Sequence, residues 1–198
     1  MLFTEVLQAR ITPPQVPSRA LFRERVNQRL KDALGYRLTL LQASAGFGKS
    51  TALTTLADRE KRSLPVVWYQ VTEDDSNGPI FLLYLLHAVR HTFPDLSDLP
   101  LPTLQNWDSS QGPLPTKHII HQFLNVIGDL PQSVLLIIDD AQLVLESADV
   151  AHILDRMISL APSNLHILIS SRRPVQLPNL YRWQAAGEIL TLDQGLLA

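Results

Sequence analysis

The sequence predicts an α/β domain in which a parallel sheet of about five strands lies between layers of helices. Three observations lead there. Apolar runs of strand length alternate with segments of helical periodicity along most of the chain. The central runs, Val66 to Val71 (VVWYQV), Ser133 to Ile138 (SVLLII) and Leu165 to Ser170 (LHILIS), are apolar almost throughout, as strands covered on both faces are. A first short strand, Arg37 to Gln42 (RLTLLQ), runs straight into a glycine-bearing turn that opens a helix.

Element by element, residues 1 to 18 contain Pro13, Pro14 and Pro17 and are expected to run extended over a surface. Leu21, Phe22, Val26, Leu30 and Leu34 share a helical face between Arg19 and Leu34, with Gly35 as the stop. Ser50 to Asp58 reads as a helix with Leu53, Leu56 and Ala57 inward, and Pro79 to Thr92 as an apolar helix opened by proline. Its run from Ile80 to Leu86 is expected to cover the sheet. Pro94 to Pro115 holds five prolines and is expected to be a long loop. Thr116 is expected to cap a helix reaching Leu130, Val150 to Leu160 to form another, and Glu188 to Leu192 to add a fifth strand. The expected division is an N-terminal segment and helix at 1–35 packed on a core domain at 36–198, within a fragment of a longer protein.

Composition narrows the function. The chain has 198 residues, 45% hydrophobic and 18% charged, which suffices for a buried core and argues against disorder. Seventeen basic residues against nineteen acidic ones leave a net charge of −2, so no basic surface for direct nucleic-acid binding is expected. Cysteine is absent, which removes disulfides, thiolate metal sites and thiol nucleophiles. No signal peptide or membrane-spanning run is visible, and the expected location is the cytoplasm. His87 with His91 and His118 with His121 have helical spacing but lack a third ligand, so they read as ordinary partly buried side chains.

The chemistry concentrates in three places. Ala43-Ser44-Ala45-Gly46-Phe47-Gly48-Lys49-Ser50 fits the phosphate-binding loop pattern at its last three positions, with Ala43 in place of the first glycine. Such a loop turns backbone N–H groups toward a polyphosphate, just before a helix whose N-terminus favours negative charge. Ala45 to Thr51 are the candidate nucleotide-binding residues. Lys49 is placed to neutralise β/γ oxygens, Ser50 to ligate Mg²⁺, and Thr51 to reach the α-phosphate.

Second, Asp139 and Asp140 end the apolar strand of Ser133 to Ile138. Two acids after a strand usually belong to a turn or a helix cap. Downstream of a phosphate loop, at the sheet edge where ligands of such folds bind, they acquire another meaning. Asp139 is the candidate Mg²⁺ ligand and Asp140 the candidate catalytic carboxylate that orients water. Third, Arg172 and Arg173 come after the strand ending at Ser170, beside the acid-bearing strand, and Arg172 is preferred as the residue facing the γ-phosphate.

This ordered set resembles the STAND class of P-loop ATPases, and within it the MalT-like, LuxR-family transcriptional regulators. The resemblance covers nearly the whole chain. It runs from Pro13-Pro14, Val16 and Arg19 through Ala43 to Thr51, Val67-Trp68-Tyr69, Asp75-Ser76-Asn77 and Phe81 to Asp139-Asp140, Ser171-Arg172 and Asp193. In that family alanine is usual at the loop's first position. Ser44 in place of a common proline, and Arg173-Pro174, depart from its pattern. The resemblance implies a three-layer, ASCE-type P-loop NTPase that binds ATP or ADP with Mg²⁺ and hydrolyses slowly as a switch. Arg19 would then contact the base or ribose. Nucleotide-dependent self-association and downstream sensor and DNA-binding domains beyond this chain are also implied. The alternatives are a steadily cycling ATPase, a small-molecule kinase, and a nucleotide-binding interaction domain without hydrolysis. Against the kinase, Pro94 to Pro115 contains no arginine or lysine to close over phosphates.

Overall fold

The computed structural model describes residues 5–17, 23–60 and 64–197. Five strands, β1 (Leu38–Gln42), β2 (Val66–Gln70), β3 (Val134–Asp139), β4 (Leu165–Ser171) and β5 (Ile189–Asp193), form one sheet in the order β2-β3-β4-β1-β5. Every pairing is parallel. The predicted fold class is the one found. β4 is interposed between β1 and β3, so the ends of the loop-bearing, acid-bearing and arginine-bearing strands meet at one edge.

Alternate side chains of each strand serve two cores. Leu136 and Ile138 of β3, with Val67, Tyr69, Ile167 and Ile169, face the side covered by α3 (Gly78–Thr92), α5 (Thr116–Gly128) and α6 (Ala148–Leu160). Leu135 and Ile137, with Leu41, Trp68 and Leu168, face α1 (Glu24–Lys31) and α2 (Lys49–Glu60). Both faces are therefore dry, which is why these strands read as unbroken apolar runs. Each fully buried leucine or isoleucine there contributes about 1.5–3 kcal/mol.

The helices start where local chemistry allows. Asn77 Oδ1 accepts from the Ile80 amide at the start of α3, and Ser147 Oγ accepts from the Val150 amide at the start of α6. Thr116 does not cap α5 as expected. It is the first helical residue, Pro115 holds the cap position without a side-chain hydrogen bond, and the Thr116 hydroxyl donates to the Leu114 carbonyl.

Pro94 to Pro115 also departs from expectation. It contains a short helix, α4 (Leu101–Gln105), and its Leu99, Leu101 and Leu104 are buried in the core beside α3. Proline at the second position of α4 suits a first turn, where no intrahelical N–H bond is lost. Proline density disguised a packed element as a loop. Near the other end of the sheet, α7 (Leu180–Ala185) and α8 (Gln194–Leu197) flank β5.

The N-terminal segment includes a 3₁₀ turn at Gln8–Arg10 and is fastened to the sheet by Arg10. The Arg10 guanidinium pairs with the fully buried Asp75, donates from Nε to the Gln70 carbonyl at 3.3 Å, and lies 3.7 Å from the centre of the Tyr84 ring. Of the helix expected over Arg19 to Leu34, residues 18–22 lie outside the described residues. The remainder forms α1, with Val26 and Leu30 inward, and then a 3₁₀ turn at Asp32–Gly35.

Candidate functional site

β1 ends at Gln42, and the loop after it is tied at once to β4, because the Ala43 amide donates to the Ser171 carbonyl at 3.2 Å. Gly46 and Gly48 then take left-handed backbone conformations, with φ of +85° and +79°. A side chain at either would strain the loop, whereas successive amides turned this way form a concave nest for an anion. Ala43 is buried and does not share the left-handed conformation. Alanine there therefore costs the loop nothing, which resolves the one mismatch with the phosphate-loop pattern.

The twelve-residue helix α2 begins at Lys49. Lys49 is 6% exposed, and its ammonium donates to the carbonyls of Ala43 at 2.6 Å and Ser44 at 3.2 Å. Burial lowers its pKa; nearby Arg172 adds to that effect, while Asp140 and Asp139 oppose it. Ser50 is exposed in the first turn of α2. Ala45 and Gly46 are exposed at the loop's tip, whereas Phe47 packs against the α1–α2 core. Thr51 and Gly48 line a cavity of about 210 Å³ whose far wall is Arg23, Val26 and Asn27.

Asp139 ends β3 with 1% exposure. The Ser170 hydroxyl of β4 and the Asp140 amide both donate to its Oδ1, the amide at 3.1 Å. Its Oδ2 is buried without a hydrogen-bond partner. Burial raises the carboxyl above its ordinary 3.8, while the hydroxyls of Ser170 and Ser50 pull it back. A buried carboxylate oxygen without a donor, next to a serine hydroxyl, is a hard-oxygen pair suited to a divalent cation such as Mg²⁺.

Asp140 is the only non-glycine residue with positive φ among the described residues, at φ 60° and ψ 35°. Aspartate tolerates that conformation better than most side chains. Its Oδ1 accepts from Gln142 Nε2 at 3.0 Å and lies 3.4 Å from Arg172 Nε, while Gln142 Oε1 accepts from the Arg172 amide at 2.9 Å. Arg173 points elsewhere and pairs with the exposed Glu146 at 3.1 Å.

The structure thus gathers Ala45 to Thr51, Asp139, Asp140 and Arg172 at one edge of the sheet. Arg19 lies outside the described residues. Sequence reasoning passed over Ser170, Gln142 and Arg23. Ser170 meets Asp139 only through the pairing of β3 with β4, whose last register pair is Ile138 with Ile169, and Gln142 and Arg23 carry no motif signal. Arg23 donates to the Leu197 carbonyl of α8, and one of its nitrogens lies 3.9 Å from where a Cβ on Gly48 would stand.

Known proteins resemble this chain at three levels. The family model described as nephrocystin 3, N-terminal, matches residues 19–172. Among curated proteins, the serine/threonine-protein kinase PknK of Mycobacterium tuberculosis is 26% identical over 186 residues, covering 93% of this chain and 16% of that protein. The HTH-type transcriptional regulator MalT of Vibrio parahaemolyticus is 24% identical over 167 residues, covering 84% of this chain and 18% of that protein. The chain therefore spans less than a fifth of the length of these relatives. Among solved structures, Cdc6p of Pyrobaculum aerophilum superposes with a TM-score of 0.59 at 15% identity, over 94% of this chain and 49% of the other. A Walker-type ATPase of Pyrococcus abyssi gives 0.55 at 16% identity, over 80% and 47%. These likenesses establish the fold, and the MalT and PknK matches agree with the resemblance carried by the motifs.

Proposed function

Given that this chain belongs to the nephrocystin 3 N-terminal family and is a P-loop ATPase domain with MalT-like relatives, we propose that it is a nucleotide-operated switch. In this reading it binds ATP or ADP with Mg²⁺, hydrolyses ATP slowly, and signals by which nucleotide it holds. The observation that carries the reading is the convergence of Lys49, Asp139, Asp140 and Arg172 on the mouth of the glycine loop.

Each residue has a role set by its surroundings. The amides from Ala45 to Lys49 hold phosphate oxygens, and the Lys49 ammonium exchanges the carbonyls of Ala43 and Ser44 for them. Ser50 and Asp139 would hold a magnesium ion, which would supply positive charge against the phosphates. Thr51 serves the α-phosphate from the wall of its cavity. Asp140 orients water and accepts its proton. Arg172 reads the γ-phosphate, and its contact with Asp140 joins sensing to chemistry. Arg19 belongs to the base or ribose end of the site. Residues 1–35 act as an arm on a core at 36–198, and self-association and control of transcription belong to a longer protein built like MalT.

A lid-bearing kinase is disfavoured by the packing of Pro94 to Pro115. Its apolar residues are committed to the core beside α3, and it brings no cationic side chain to the loop. No helix among the described residues is long and apolar enough to cross a membrane.

The test is to identify by mass spectrometry the nucleotide retained by freshly purified protein, and to compare single-turnover with steady-state hydrolysis. Retained ADP, with one slow turnover and little beyond it, supports the switch. Rapid multiple turnover with no retained nucleotide contradicts it.

A further inference from the structure

On the face of the sheet opposite α2, helices α5 and α6 frame a cleft of about 600 Å³ lined by Lys117, His118, His121, His152 and Arg156. Among the described residues, no acidic side chain lines it. In a chain of net charge −2, such a grouping needs a reason. Helical spacing supplies the geometry. Lys117 and His121 are four residues apart on α5, as are His152 and Arg156 on α6, so each pair shares one face of its helix.

The acids of α6 are turned elsewhere. Asp155 accepts from the Asn179 amide at 2.8 Å and from its side chain at 2.7 Å, and the Asp149 Cβ lies 3.5 Å from where a Cβ on Gly78 would stand. Arg156 is half-buried with no carboxylate partner among the described residues. Its Nη2 lies 3.0 Å from His121 Nε2, and its Nε is buried without a partner. Arginine can only donate, so in this contact His121 Nε2 is the acceptor and no carboxylate meets the guanidinium. A half-buried guanidinium without an anion is only partly satisfied, and a carboxylate or a phosphate is its usual partner.

We propose that this cleft is a second ligand site, separate from the phosphate loop, that takes a small molecule bearing a multivalent oxyanion. Its volume suits a compact metabolite. Arg156 supplies the anchoring positive charge, with Lys117, His118 and His152 as further donors at the rim. The oxyanion can come from a phosphate ester or from a polycarboxylate.

The experiment monitors the imidazole resonances of the 198-residue chain by NMR, with ADP and Mg²⁺ saturating so that the phosphate loop does not capture the probe. Inorganic phosphate and citrate are titrated separately at constant ionic strength, against sodium chloride. The expected result is saturable movement of His118, His121 and His152, with His87, His91 and His166 still. Phosphate alone acting identifies a phosphate ester, and citrate acting equally identifies a polycarboxylate site. Arg156→Gln is expected to weaken the response by about tenfold or more. His152→Glu, at an exposed position, is expected to abolish it even where Arg156→Gln fails to fold. Equal shifts with chloride, shifts spread over all six histidines, an unchanged response in both variants, or binding of a single-stranded oligonucleotide without phosphate or citrate would each overturn the proposal.

Discussion

Arg172 Nε stands 3.4 Å from Asp140 Oδ1, and Gln142 is hydrogen-bonded to both residues, so the guanidinium and the carboxylate form one unit. Arg173, one residue further, is tied to Glu146 at the surface. On the proposed function, Asp140→Asn lowers single-turnover ATP hydrolysis by about 100-fold, the scale of a general base. Asparagine tolerates the left-handed backbone, so nucleotide affinity is expected to hold. Arg172→Ala falls with it and Arg173→Ala does not. Equal rates for wild type and Asp140→Asn would remove the catalytic role.

The loop makes a prediction about glycine. No atom lies within 4 Å of a Cβ built on Gly46, so Gly46→Ala meets only the backbone cost of a left-handed alanine, about 1–2 kcal/mol. Nucleotide affinity is expected to drop about tenfold while the chain still folds. Ala43→Gly, although it restores the familiar pattern, is expected to leave affinity unchanged, because Ala43 has no positive φ to relieve. Titration calorimetry on both variants checks this, and tighter binding by Ala43→Gly would contradict it.

The Arg10–Asp75 pair gives a pH prediction. Burial raises the Asp75 carboxyl above its ordinary 3.8, outweighing the Thr72 amide and the Arg10 guanidinium. A raised native pKa means that the folded state holds this proton more tightly than the unfolded chain. The associated stability is therefore complete below 3.8 and is lost as pH rises through the native value. Asp75→Asn cannot titrate, so urea unfolding should show it gaining on the wild type as pH rises across that window, from a level lowered by the loss of the ion pair with Arg10. Arg10→Ala leaves the carboxylate buried alone and is expected to cost about 3 kcal/mol. An Asp75→Asn variant that loses ground as pH rises would refute the assignment.

The proline-rich stretch is tested in its middle. Leu104 has 0% exposure, so Leu104→Ala is expected to cost about 2–5 kcal/mol in denaturant unfolding. A change below about 0.5 kcal/mol, the size of ordinary surface substitutions, would mean that the stretch is a loop after all.

The strands were legible because burial on both faces writes itself as consecutive apolar residues, as in Val134 to Ile138. The loop was legible because Gly46 and Gly48 occur where left-handed backbone is needed. Pro94 to Pro115 misled, because its helical turn relies on prolines at tolerated positions and on burial of Leu101 and Leu104, neither of which has a periodic signature over so short a span. Thr116 misled because a threonine one position inside a helix looks like one at its cap. Gln142 and Ser170 were invisible for another reason. They act on Asp140 and Asp139 through contacts that only the folded chain creates, and no local spacing records such a meeting.

The central claim is that the amides and lysine of the Gly46–Lys49 loop hold a nucleotide's phosphates, and calorimetric titration of MgADP and MgATP into wild type and Lys49→Ala tests it most directly. The account predicts saturable binding by the wild type and affinity weakened by about 100-fold or more in the variant, the loss of a charge-assisted contact. Equal affinity in the two proteins, or no binding by the wild type, would contradict it.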